Sequence, residues 1–72
     1  MKEIDLHGMT HEEAVLKAEN FVLLESQYEL FECRIITGNS YQMTTKIIKM
    51  LSEHGFNYYI PAWNSGEIIV QN

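Results

Sequence analysis

The sequence predicts an α/β fold: a two-layer sandwich in the order βαβαββ, with a four-stranded mixed sheet and two helices on one face. Three observations predict it. Two stretches repeat apolar residues at helical spacing, four short β-prone runs alternate with or follow them, and the runs close at glycines or polar turns. The chain of 72 residues has room for a single domain over 1–72. By area scaling, such a domain buries about 60% of the surface its unfolded chain exposes, enough for one modest core.

Residues 3–7, Glu-Ile-Asp-Leu-His, alternate polar and apolar and read as a half-buried strand ended by Gly8. Thr10 followed by Glu13 is a capping-box pattern, so a helix starts there. Ala14, Ala18, Phe21, Val22 and Glu25 follow its inner face, with Val15 on the flank and Glu12, Glu13 and Glu19 pointing outward. Tyr28 to Thr37 is β-prone and stops at Gly38. After the polar loop Asn39-Ser40-Tyr41-Gln42, a second helix places Met43, Ile47, Met50 and Leu51 on one face and Lys46 and Lys49 on another. Gly55 ends it, with Phe56 placed for the apolar contact that accompanies a glycine cap. Asn57 to Trp63 reads as a strand made irregular by Pro61. Asn64-Ser65-Gly66 is a turn, and Glu67 to Gln71 is the last strand. Two β-helix-β units make strands one to three parallel, and the final turn makes an antiparallel hairpin.

Composition narrows the function classes. Hydrophobic content of 46% with 21% charged residues is ordinary for a folded globular domain and excludes disorder as the default. No apolar run reaches the eighteen or so residues of a membrane span, and the start Met-Lys-Glu-Ile-Asp is no signal peptide. A single cysteine, Cys33, rules out an internal disulfide framework and suits a reducing, cytoplasmic setting. The net charge of −5 argues against a free-standing, high-affinity nucleic-acid binder. The acid is concentrated, however: residues 1–32 hold eight acids and two bases, residues 33–72 two acids and three bases. An anion-facing surface must come mostly from the second part.

Alternation along the strands sorts the polar residues. If Ile4 and Leu6 pack under the helices, Asp5 and His7 project from the open face, and Arg34 joins them from the second strand. Parallel strands bring their C-terminal ends to one edge, where open α/β sheets bind ligands. His7-Gly8, Thr37-Gly38 and Trp63-Asn64 should therefore cluster at one rim. There the Thr37-Gly38-Asn39-Ser40 loop precedes a helix and can receive a phosphate, with Lys46 adding charge; turn chemistry alone also explains Gly38 and Asn39.

Asp5 and His7 are about 6.7 Å apart along a strand, near enough for the carboxylate to orient the imidazole. The alternative is that Asp5 caps the following loop and His7 is a solvated strand end. Glu3 shares the facing but stands about 13 Å from His7, too far to share one ion, so no metal set and no cofactor is assigned. His11 reads as a surface residue, His54 as a dipole-complementing helix end, Cys33 as a small core residue and the methionines as core filler. Trp63 reads either as a packing aromatic or as a base-stacking platform at the rim.

Ile4-Asp5-Leu6-His7-Gly8, followed by a helix carrying Glu13-Ala14, resembles the first signature of the Smr (small MutS-related) domain family, whose members open with Leu-Asp-Leu-His-Gly. Ile35-Ile36-Thr37-Gly38 resembles the end of the family's second strand, and Gly66 stands where a glycine-rich turn precedes its last strand. The resemblance spans essentially the whole chain, as a minimal, stand-alone version. It implies a fold like that of the C-terminal domain of translation initiation factor three and a role in DNA nicking, recombination control or RNA cleavage, including on stalled ribosomes. The family's Asp and His map onto Asp5 and His7, and its second motif onto Thr37, Gly38, Asn39 and Ser40. Asn39 stands where a basic residue is common, and Ser40 replaces a glycine.

Two functions are therefore expected. The first is a metal-independent endonuclease acting on RNA in preference to DNA. Asp5 and His7 are its catalytic pair, and Gly8, Arg34, Thr37, Gly38, Asn39, Ser40, Lys46, Trp63 and Gly66 bind its substrate. RNA is favoured because its 2′-OH can attack under acid–base catalysis alone. The second, favoured by the altered second motif, is a non-catalytic module on nucleic acid or the ribosome that competes with full-length Smr proteins. A protein-interaction domain using the acidic first helix is a third. A monomer is assumed.

Overall fold

A computed structural model describes residues 1–72. Strand β1 spans Lys2–Asp5, helix α1 His11–Glu25, β2 Glu32–Ile36, α2 Tyr41–His54, β3 Asn57–Tyr59 and β4 Glu67–Gln71, the βαβαββ order that the sequence predicts. The four strands form one mixed sheet ordered β1-β2-β4-β3. β1 and β2 pair in parallel, while β4 pairs antiparallel with both β2 and β3. The first three strands thus run in one direction, with the last strand inserted between the second and third. No helix is long and apolar enough to cross a membrane.

Local chemistry explains the element ends. The Thr10 hydroxyl accepts the Glu13 N–H at 3.3 Å and caps α1. The Ser40 hydroxyl accepts the Met43 N–H at 3.1 Å and caps α2. At the other end of α2, Gly55 takes a φ of 77°, and the Phe56 N–H reaches back to the Leu51 carbonyl at 3.0 Å. That left-handed step suits glycine, and Phe56 folds onto the core beside it.

One core cluster joins both helices to one sheet face. Ala14, Ala18 and Val22 of α1 and Met43, Ile47, Met50 and Leu51 of α2 meet Leu6, Cys33, Ile35, Ile68 and Val70. Several expectations need correction. The first strand ends at Asp5 rather than His7, and Tyr41 and Gln42 belong to α2 rather than to the loop before it. The third strand stops at Tyr59 rather than Trp63, because Pro61 has no N–H to continue the ladder. The second strand begins at Glu32, since Tyr28 to Leu30 form an exposed turn after α1. Glu19 does not point outward: its carboxylate meets the His54 imidazole at 2.7 Å and ties α1 to the end of α2. Met1 is exposed, unlike the buried Met43 and Met50.

Candidate nucleic-acid interface at the sheet rim

The ends of β1 and β2 and the start of β4 meet at one rim. The Leu6 N–H donates to the Ile36 carbonyl at 2.8 Å, which holds the segment after β1 against the end of β2. The Thr37 and Gly38 N–H groups both donate to the Gly66 carbonyl, at 2.8 and 3.2 Å. Gly66 approaches so closely that an added Cβ would stand 2.9 Å from the Gly38 carbonyl oxygen. A Cβ on Gly38 would meet the His7 Cβ at 3.6 Å, so His7, Gly38 and Gly66 are near neighbours. The Asn64 side chain completes the turn, accepting the Gly66 N–H at 2.8 Å and donating to Glu67 at 3.0 Å.

Asp5 and His7 stand on the open side of this rim. The Asp5 carboxylate accepts the backbone N–H of His7 at 3.0 Å and so fixes the chain as it leaves β1. Its distance to His7 Nδ1 is 3.9 Å, beyond a hydrogen bond, and the imidazole is 75% exposed. Asp5 therefore orients His7 through the backbone. Gly8, with a φ of 83°, turns the chain toward α1.

The second motif is largely occupied by its own fold. Thr37 is 2% exposed, and its hydroxyl lies 3.0 Å from that of Thr44 and within reach of the Gly38 and Gly66 carbonyls. The Ser40 hydroxyl is the α2 cap. Asn39 is exposed on the loop between them. Trp63 lies in the β3–β4 connection with 74% of its surface exposed.

The cations divide. Arg34 stands on the open face as its alternation requires, but two carboxylates hold it there: Glu3 at 2.9 Å and Glu67 at 3.2 Å. Glu3 is its register partner on β1. Glu67 reaches it from β4, two residues from Ile69, its partner there. The facing of Glu3 is legible in the sequence, and that of Glu67 becomes so only once β4 is known to lie beside β2. Lys46 is exposed on α2 and lines a recess of about 420 Å³ with His11, Tyr41, Gln42 and Thr45. Sequence reasoning passes over Tyr41, although it opens a helix beside the rim and is 82% exposed. No three His, Cys, Asp or Glu side chains converge anywhere as a candidate metal cluster.

The Smr domain family model matches residues 4–67, a span that runs from β1 through the whole rim to the first residue of β4. Neither curated proteins nor solved structures yield a match. The matched span covers all three glycine-bearing turns that build the rim, and the chain belongs to the Smr domain family, with the nucleic-acid-related function that membership implies.

Proposed function

We propose that this domain is a metal-independent endonuclease acting on RNA, with His7 as its proton carrier and Asp5 as the residue that positions it. The observation that carries the reading is the exposed imidazole of His7, fixed through its own backbone N–H by Asp5 and set beside Gly38. A histidine so placed can reach a backbone phosphodiester that a buried one could not. In the reaction, His7 accepts the proton of the 2′-OH as the 2′-oxygen bonds to phosphorus. The bond from phosphorus to the 5′-oxygen breaks, and that oxygen takes a proton from water. The products are a 2′,3′-cyclic phosphate and a 5′-OH. The buried, single Cys33 is in keeping with a cytoplasmic setting.

The test is incubation of the purified chain with labelled RNA, single-stranded DNA and duplex DNA, with and without EDTA. RNA should be cut in EDTA to cyclic-phosphate ends. His7→Ala should lower the rate by roughly 10²–10⁴-fold, the usual worth of general acid–base assistance, while leaving the circular dichroism spectrum unchanged. Cleavage that needs a divalent ion, or that ignores His7→Ala, would overturn this mechanism.

One observation favours the second reading, a non-catalytic module on nucleic acid or the ribosome. The hydroxyls of Thr37 and Ser40 and a carboxylate oxygen of Asp5 all hold the fold. Binding without cleavage of any substrate would select that reading.

A further inference from the structure

A nucleic-acid backbone that passes His7 can leave the rim across the open sheet face or over the helical layer. Both carry carboxylates, and the difference lies in which route offers an unpaired cation. Glu3, Asp5 and Glu67 lie on the open face, where Arg34 is the sole cation and is already paired with two of them. A phosphodiester on that route meets uncompensated like charge. Of the remaining cations, Lys2 pairs with Glu25 at 3.8 Å, and Lys17 lies exposed on α1 outside both helical grooves.

Lys46 and Lys49 make no ion pair. Lys46 walls the recess between α1 and α2, whose other lining residues, His11, Tyr41, Gln42 and Thr45, include no carboxylate. The adjoining groove, which shares His11 and Lys46, carries Glu12, Glu19 and Glu53, so a strand on this side keeps to the Tyr41 end. The recess volume of about 420 Å³ falls in the roughly 300–1,000 Å³ range of small-ligand sites. The recess is also close to the rim. His11 is four residues beyond His7, so their Cα atoms are no more than about 15 Å apart. Tyr41 is three residues beyond Gly38 and presents its ring almost wholly to solvent.

We propose that this recess is a second nucleotide subsite: Lys46 takes a backbone phosphate next to the one at His7, and the Tyr41 ring stacks an adjoining base. The proposal rests on the nucleic-acid reading above and assigns the path that the strand follows. It requires a single-stranded substrate, because a base paired in a duplex offers no free face to Tyr41.

The experiment is fluorescence anisotropy with an end-labelled single-stranded RNA on the full chain, repeated over a series of salt concentrations. Lys46→Gln should weaken binding and flatten the slope of log K against log salt by about 0.7, one single-strand phosphate contact. Tyr41→Ala should weaken binding roughly 5- to 100-fold with the slope unchanged, as loss of a stacked base requires. Tyr41→Phe should restore wild-type affinity. Lys17→Gln, with the same change of charge, should leave affinity within about twofold, since it lies off the path. If Lys46→Gln behaves like Lys17→Gln, or Tyr41→Ala binds as wild type while the chain still binds RNA, the subsite is overturned and the nucleic-acid reading stands. If the unaltered chain binds no RNA or DNA at all, that reading itself fails and the subsite with it.

Discussion

Cys33 shows what a single buried side chain does to the molecule's pH response. Burial in β2, reinforced by the nearby carboxylates of Glu25 and Glu32, pushes its thiol up to about 11 from an ordinary value of 9.0. The unfolded chain therefore loses this proton at lower pH than the folded one. The stabilisation is complete below pH 9 and is lost as pH rises toward 11, about 2–3 kcal/mol in all. Denaturant unfolding at pH 8 and pH 11 should show Cys33→Val losing less stability over that interval than the parent chain. Equal losses would assign the alkaline weakening to other groups. Gly66 makes a different demand. Its missing Cβ leaves room for the Gly38 carbonyl, and Gly66→Ala must push backbone against backbone at 2.9 Å. A loss of about 1–3 kcal/mol is expected, the usual cost of overpacking, read as a lower urea midpoint at unchanged slope. Spectra and midpoint unchanged by the substitution would show that the two turns separate freely.

At the scale of elements, Ser40 shows how one residue can be read twice. As a motif position it is a missing glycine, and as a helix position it is the N-cap of α2. Ser40→Ala should cost about 1 kcal/mol, and Ser40→Gly only a few tenths, because glycine is itself a tolerated cap. Thermal melts of both variants check the ranking, and equal losses would mean that the hydroxyl contributes nothing. Helix α2 was legible because Met43, Ile47, Met50 and Leu51 repeat at one helical face and Gly55-Phe56 marks its end. Thr10 and Glu13 marked α1 equally well. The facing of Asp5, His7 and Arg34 followed from alternation alone. The inward turn of Glu19 is not legible, because a helix read alone lacks its neighbour and His54 is 35 residues away. The strand order was not legible for the same reason: nothing local in Glu67–Gln71 says that it inserts between β2 and β3. The aromatic run up to Trp63 reads as a strand in the sequence and masks the one residue, Pro61, that ends it.

For the whole molecule, charge sets how firmly nucleic acid can be held. Counting Arg34, Lys46 and Lys49 as free gives an expected log–log salt slope of about −2 to −3. The Glu3–Arg34–Glu67 arrangement removes one of the three. The isolated chain should therefore bind single-stranded RNA weakly, with a slope of about −1.5, two phosphate contacts at the single-strand increment. Titrations between low and moderate salt measure it, and a slope of about −2, three contacts at the same increment, would mean that Arg34 leaves its carboxylates when RNA binds. The position of β4 ties the rim to the far edge of the sheet. This strand lies third in the sheet, and both β2 and β3 depend on it for pairing. The turn that leads into it carries the Gly66 carbonyl that receives the Thr37 and Gly38 N–H groups. Peeling β4 away would therefore leave β3 without a strand partner and take the rim apart in the same event.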